Sequence, residues 1–179
     1  MPQLTVTLEP DYAVAGLVEG FQTCEFETVS LSEDMPADSP GRLVEWDPTD
    51  ATGRTVRLPQ GTTTVMNLAG VLMYNETNEP SVASPGNLGG PWKKGRTVAI
   101  LRKGRIWAQV VGTAPTPNSA TLNVSHSSTV VTDRGKLTAT ASNVVAGTEI
   151  QAGPTGMRVR ARLNTPLTAI ALVQMNFPA

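Results

Sequence analysis

The sequence predicts an all-β fold, a β-sandwich or barrel of about ten short strands with an extended N-terminal arm. Fourteen prolines and sixteen glycines are spread along its 179 residues, and these residue types break helices and mark turns. Short apolar segments recur with turn residues between them, which is typical of sandwiches and barrels. Only 16% of the residues are charged, against about 25% in ordinary soluble domains, so uncharged polar side chains must cover much of the surface.

The chain length fits one domain, which we assign to residues 21–179, preceded by an arm or edge strand over residues 1–20. Apolar and polar residues alternate over residues 4–8, until Pro10 ends the segment. If the chain contains a short helix, we expect it near residues 13–20.

The first half of the β domain is predicted to contain strands at residues 21–31, 42–46, 54–58, 63–68 and 71–74. Residues 32–40 hold two prolines and three acids and are predicted to be a loop, and residues 47–53 are dense in turn residues and are predicted to be a turn. Gly70 interrupts the last pair of strands and indicates either a bulge or the close approach of another backbone. Residues 75–91 form the longest predicted loop, and loops of this length are usually functional or mobile.

Residues 97–111 have the pattern of a β-hairpin. Apolar residues occupy 98–101 and, apart from Gln109, 106–111, and the residues between them, Arg102-Lys103-Gly104-Arg105, are predicted to form the turn. Neither strand has a polar face, so we expect protein to cover both sides. Six of the fourteen Lys and Arg residues lie between positions 93 and 105, which gives the hairpin a cationic tip suited to contact with another surface.

Further strands are predicted at residues 120–124, 129–132, 136–141, 149–152, 157–163 and 167–177, with a hairpin turn at 133–135. Arg158, Arg160 and Arg162 share one face of the 157–163 strand, because side chains alternate between faces. Such a stripe can pair with carboxylates of a neighbouring subunit. A solvated edge strand protected by its charges and a contact with nucleic acid are the alternatives.

No residue pattern predicts an enzyme or a cofactor site. The single histidine, His126, lies near Ser125 and Asp133, but no oxyanion-hole glycine cluster or strand–turn–helix elbow accompanies it. Cys24 is followed by acids, which make a thiol less reactive, and one Cys with one His cannot form a zinc site. The acids within residues 33–38 and 47–50 lack the spacing of a calcium loop. We therefore predict no catalytic residue, no metal and no cofactor.

Residues 36–112 resemble a known family. They read PADSPGRLVEWDPTDATGRTVRLPQGT, then AGVLMYN, then a Pro/Gly-rich loop, then W..G..VA.LR.GR.W..V. This order is similar to that of the structural cement (head decoration) proteins of tailed bacteriophages. The resemblance implies an all-β protein without enzyme activity, which binds the outer surface of an assembled head and stabilises it by bridging major capsid protein subunits.

On this interpretation, six cations are the predicted contacts with the capsid or with a sister subunit: Arg102, Lys103, Arg105, Arg158, Arg160 and Arg162. The low charge and the strands that are apolar on both faces predict a homo-oligomer, a trimer or alternatively a dimer. The protein would be made in the host cytoplasm and would lie on the outer surface of the virion. A formal net charge of −1 argues against nucleic acid as a partner, and no apolar run reaches the roughly 18 residues of a membrane span.

A carbohydrate- or receptor-binding β-module is the alternative function. Trp46 and Trp92 lie next to prolines or close to them, and a sugar platform would require both rings to be exposed together. Trp107 lies in an apolar strand and is predicted to be in the core. A hydrolase would instead require His126 to lie beside a deep pocket with a carboxylate partner.

Overall fold

The computed structural model describes residues 15–19, 24–74, 92–111, 121–126, 131–139, 142–146, 150–151, 158–161 and 169–177. The regular secondary structure of this part of the chain is nearly all β-strand, as the sequence predicts. Its strands are β1 (Val18–Glu19), β2 (Glu25–Leu31), β3 (Leu43–Trp46), β4 (Thr55–Arg57), β5 (Leu68–Leu72), β6 (Thr97–Val111), β7 (Thr121–Val124), β8 (Leu137–Thr138), β9 (Ile150–Gln151), β10 (Arg158–Ala161) and β11 (Ala169–Asn176). Two 3-10 helices, Val65–Asn67 and Val131–Asp133, accompany them, and no helix of the described residues is long and apolar enough to cross a membrane.

Five strands close into a barrel in the order β2-β4-β3-β5-β6, and β6 returns to pair with β2. The β2–β4 pair is parallel, whereas the other pairs of the barrel are antiparallel. The sandwich-or-barrel alternative is therefore decided in favour of a barrel with additional strands. The additional strands are attached to the C-terminal half of β6. On one side β8 pairs with β6, β7 pairs with β8, and β9 pairs with β7. In addition, β11 pairs with both β6 and β10, and β1 pairs with β6.

The predicted hairpin at residues 97–111 is wrong, because these residues form the single fifteen-residue strand β6. Gly104 does not make a turn; with φ +132 it lets the strand bend and continue. The register against β2 shifts between Glu25 and Phe26, just before this point. Leu101 and Ile106 are five residues apart and yet belong to the same apolar cluster, so the alternation of faces changes phase between them. The prediction that both faces are covered is confirmed for 106–110, which are all buried.

Two apolar clusters lie on opposite sides of the barrel wall. The smaller cluster has members from all five barrel strands, including Val29, Val44, Val56, Leu72 and Ile100, and therefore fills the barrel interior. The larger cluster joins the outer face of β3, β5 and β6 to β7, β8 and β11, through Leu43, Val71, Leu101, Leu122, Leu137 and Val173. Adjacent residues such as Ile100 and Leu101 belong to opposite clusters, as the alternation of side chains in a strand requires.

The region around Gly70 differs from the prediction in one respect and agrees in another. Residues 65–67 form a 3-10 helix rather than a strand, and Asn67 Oδ1 accepts hydrogen bonds from the backbone N–H and hydroxyl of Thr64. Strand β5 then runs through Gly70, and its register against β3 shifts beside this glycine, where Val44 is opposite Gly70 and Glu45 is opposite Leu68, so the predicted bulge is present. The expected close approach is present, since a Cβ at Gly70 would lie 2.7 Å from the carbonyl oxygen of Leu101.

The segments at residues 129–132, 133–135 and 13–20 agree with the predictions only in part. Val131–Asp133 is a 3-10 helix, so the strand predicted at 129–132 is wrong for its described part. The turn predicted at 133–135 is confirmed, and Gly135 has φ +78 there. Residues 15–19 form a turn followed by β1 rather than a helix. The remainder of the predicted N-terminal arm and the whole 75–91 loop lie outside the described residues.

Candidate functional site

The cations assigned to the hairpin tip lie in the middle of β6 and have acidic neighbours on β2. Arg102 Nη1 lies 3.0 Å from Glu27 Oε2, and Lys103 Nζ lies 3.2 Å from Glu25 Oε1. The Arg102 guanidinium also lies over the Trp46 ring, 5.7 Å from its centroid, which is a cation–π contact. These two cations are therefore neutralised within the chain and do not form a projecting tip.

Arg105 is exposed on the same strand. Its position faces Glu19 of β1 on one side and Gln174 of β11 on the other. The structure thus brings Arg102, Lys103 and Arg105 to one region, where β6 changes its pairing partners.

The second predicted cationic group lies on β10. Arg158 is opposite Leu172 and Arg160 is opposite Ile170 in an antiparallel pair. Their backbone positions are two apart in a strand, as the predicted stripe requires. Arg162 lies outside the described residues, so the contact role of the stripe remains a prediction.

A buried polar cluster joins the segment before β3 to the turn before β8. Arg42 is 0% exposed; its Nη2 lies 2.6 Å from Asp38 Oδ1, and its Nη1 donates to the carbonyl of Arg134 at 3.0 Å. Burial lowers the pKa of Arg42, and the Asp38 charge opposes that shift. Arg134 in turn donates to the carbonyls of Leu58 and Pro59. Because these groups satisfy one another, the cluster is structural.

The acids weighed as metal ligands are engaged in turns and ion pairs. Asp50 accepts hydrogen bonds from the hydroxyl and backbone of Thr52, the hydroxyl and backbone of Thr55, and the backbone of Arg54. These bonds, led by those of Thr52, hold the pKa of Asp50 well below its ordinary range. Asp34 is bound by Lys93 at 2.8 Å. Within the described ranges, no three His, Cys, Asp or Glu side chains are grouped to hold a metal ion.

The tryptophans do not form a sugar platform. Trp92 is 3% exposed and Trp46 is partly buried, and both pack against the cluster inside the barrel. The joint exposure on which the carbohydrate-binding alternative depended is therefore contradicted. Trp107 is buried, as predicted.

The environment of His126 does not match a catalytic triad. Its backbone N–H donates to the carbonyl of Asn143 at 3.0 Å. Its Nδ1 is buried, and in the described part of the chain it has no hydrogen-bond partner. The carboxylate of Asp133 lies 4.0 Å from Lys136 Nζ. Through Nδ1, therefore, His126 forms no Asp–His pair with the described residues.

Comparison with known proteins identifies the family. The model of the phage structural cement proteins, described by E217 gp24 and Pam3 gp6, matches residues 2–176. The chain belongs to the phage structural cement protein family. A solved chain from "The capsid of Myoviridae Phage XM1" has a similar fold, with a TM-score of 0.58 and 16% identity over 98% of both chains. A search of the curated proteins finds no significant match.

Membership of the cement protein family confirms the resemblance carried by residues 36–112 and extends it to almost the whole chain. It gives the protein a capsid-associated structural role in the virion. It also favours a structural over a catalytic protein, which agrees with the geometry around His126.

The structure brings together a second group of surface cations that the sequence does not identify as a group. Arg54, Lys94 and Arg96 are all exposed and lie near the end of β2. Arg54 is far from the other two in sequence, so only the pairing of β4 and β6 with β2 brings the three together.

Proposed function

We propose that this cement protein binds the outer surface of an assembled phage head and stabilises it by bridging neighbouring major capsid protein subunits. The family match over residues 2–176 carries this proposal. A site made from two or more capsid subunits exists only when those subunits are assembled. Binding there therefore favours the assembled shell by mass action.

The closed barrel suits this role for a physical reason. A protein that holds two subunits at a fixed separation must resist deformation. Closure of the five strands leaves no open edge within the barrel, and an apolar cluster fills its interior. Close-packed interiors have low compressibility and transmit strain, so the barrel can act as a rigid spacer.

We propose that the cement protein acts as a homo-oligomer, a trimer or alternatively a dimer. Joined copies bind a symmetric shell with avidity, because the second contact becomes intramolecular once the first has formed. Modest contacts from each copy are then sufficient for stable attachment.

Co-sedimentation tests the proposed function. The purified protein is mixed with three preparations from the phage that encodes it: empty expanded heads, unexpanded heads and isolated major capsid protein subunits. We expect it to sediment with expanded heads and not to bind isolated subunits, and we expect loaded heads to resist heating better than bare heads. Equal binding to isolated subunits would contradict bridging, and no binding to heads would contradict the capsid assignment.

The outer location has its own test. Intact virions are treated with an amine-reactive reagent too large to enter the head, and the labelled lysines are mapped by mass spectrometry. Lys94 and Lys103 are exposed and at least one should be labelled. Labelling only after the heads are opened would place the protein inside the shell.

A further inference from the structure

Three cations lie together on one flank of the barrel, beside the end of β2. Ser30 N donates to Arg54 O at 3.0 Å, and Leu31 N donates to Arg96 O at 2.9 Å. Arg54 and Arg96 therefore lie on the two sides of β2, and two strand spacings separate their backbones by roughly 10 Å. Lys94 belongs to the turn that precedes Arg96. We call Arg54, Lys94 and Arg96 the basic rim.

The basic rim faces solvent. All three of its residues are exposed. Gly53 precedes the first of them with φ +62, and Gly95 lies between the other two with φ +82. A Cβ at either glycine would meet no atom within 4 Å. Among the described residues, therefore, nothing covers these two glycines on the side where a Cβ would project.

The carboxylates of Asp34 and Asp50, which lie beside the basic rim, already accept hydrogen bonds from other groups of the chain. Asp34 accepts hydrogen bonds from Lys93 Nζ at 2.8 Å and from the backbone of Lys94 at 2.9 Å. Asp50 is saturated by its own turn and contacts Arg54 only through the backbone N–H. Across the described ranges, no carboxylate lies within ion-pair distance of a rim side chain.

The cations in the middle of β6, unlike those of the basic rim, form ion pairs within the chain. Arg102 and Lys103 have Glu27 and Glu25 as partners. An external carboxylate could bind them only in competition with these partners. The rim side chains have no ion-pair partner among the described residues, so an incoming anion can bind them without displacing one.

We propose that the basic rim is the surface through which the cement protein binds an acidic protein surface on the capsid shell. This inference rests on the proposed function and assigns the contact to a defined face of the barrel. Exposed pairs of this kind steer association and set orientation more than they supply affinity. A protein partner fits better than nucleic acid, because three cations on a chain with a formal net charge of −1 neutralise few phosphates.

Two matched variants test the inference. One replaces Arg54, Lys94 and Arg96 by Ser, and the other replaces Arg102, Lys103 and Arg105 by Ser, so that both lose three positive charges. Binding of each variant and of the parent protein to empty expanded heads is measured from about 0.1 M to about 1 M NaCl, over which the Debye length falls from about 10 Å to about 3 Å. Thermal unfolding of each variant confirms that it is folded.

We expect the rim variant to bind about tenfold more weakly than the parent at low salt and to show little further loss at high salt. The comparison variant should lose less than the rim variant and keep the salt dependence of the parent. If the parent binds the heads and the rim variant binds equally well, the rim is not the contact, although the proposed function stands. Equal losses in both variants would show that net charge matters rather than location and would also overturn the inference.

A nucleic-acid partner is tested with a short duplex DNA as the probe. We expect no binding by the parent protein at the ionic strength used for the heads. Binding that is lost in the rim variant would overturn the assignment to an acidic protein surface. If the rim variant does not fold, the single changes Arg96→Glu and Arg105→Glu replace the two triple variants, because each alters the net charge by two at an exposed side chain and the backbone bond of Arg96 to β2 is retained.

Discussion

Gly104 lies directly against Cys24. A Cβ built on Gly104 would be 2.5 Å from the Sγ of Cys24 and 3.2 Å from its Cβ. Gly104 also has φ +132, a backbone conformation that residues with a side chain rarely adopt. At this position β6 leaves β2 and continues beside β11. The path of the longest strand therefore depends on the absence of a side chain at residue 104.

Gly104→Ala is expected to lower the free energy of unfolding by about 2–4 kcal/mol. The backbone strain at positive φ and the steric overlap with Cys24 both contribute. Urea denaturation followed by tryptophan fluorescence measures the change. In a Cys24→Ala background the same substitution should cost less, because the overlap with the sulfur is removed.

Gly95→Ala is the matched control for this prediction. Gly95 also has a positive φ, but a Cβ there would meet nothing within 4 Å. Its substitution should cost about 1–2 kcal/mol from the backbone alone. Equal losses at Gly95 and Gly104 would show that the contact with Cys24 has no energetic consequence.

The residues of β6 illustrate how far a sequence predicts this fold. The run of apolar residues correctly identifies 97–101 and 106–111 as extended, and residues 98, 100, 101 and 106–110 are buried. It cannot decide between a turn and a continuous strand at Arg102–Arg105, because a glycine among cations suits both. The decision comes from β11, which is distant in sequence and pairs with residues 103–110. Such non-local pairing leaves no local signal.

The cations of the candidate site could likewise be predicted only in part from the sequence. The sequence identifies Arg102, Lys103 and Arg105 as a cationic group, and the structure brings them together. It does not reveal that Glu25 and Glu27 neutralise two of them, because this depends on the shifted register between β2 and β6. Nor does it reveal the basic rim, whose members meet only through the barrel's closure.

Arg42→Met is expected to lower the free energy of unfolding by about 2–4 kcal/mol. The change removes the 2.6 Å ion pair with Asp38 and leaves the Arg134 carbonyl without its donor. The Asp38 side chain is 50% exposed, so its carboxylate remains solvated and the loss stays below that of a fully buried pair. Urea denaturation measures it.

Arg54→Met is the control for Arg42→Met, because Arg54 is exposed and its side chain forms no ion pair with a described residue. Its free energy of unfolding should stay within about 0.5 kcal/mol of the parent. A loss below about 1 kcal/mol for Arg42→Met would show that relief from burying the charge offsets the lost contacts.

The purified protein is expected to be a trimer, or alternatively a dimer, in solution. This expectation is based on the low fraction of charged residues and on the symmetry of the shell on which the protein is proposed to act. Light scattering coupled to size exclusion measures the mass of the particle. A strict monomer at micromolar concentration would restrict any oligomerisation to the capsid surface.

Acid is expected to destabilise the folded protein through the turn that joins β3 to β4. Hydrogen bonds from Thr52 and Thr55 hold the pKa of Asp50 far below its ordinary range, and hydrogen bonds from Thr49 lower the pKa of Asp47. A carboxyl group whose pKa is lower in the folded state than in the unfolded state stabilises the fold at pH values above the unfolded pKa, which is about 4. Its contribution is lost as the pH falls below that value, because the unfolded state then binds protons more readily.

Asp50→Asn should therefore lower the melting temperature at neutral pH and should make the melting temperature fall less steeply between about pH 4 and about pH 2 than in the parent. The amide keeps one acceptor oxygen, and it cannot reproduce the bonds that two carboxylate oxygens accept from Thr52, Thr55 and the backbone of Arg54. Thr52→Ala removes the largest cause of the lowered pKa while it keeps the charge, so it should also reduce the acid dependence, by a smaller amount. Thermal unfolding followed by circular dichroism across this pH range provides the comparison. Parallel pH profiles for the parent protein and Asp50→Asn would show that acid unfolding originates elsewhere in the chain.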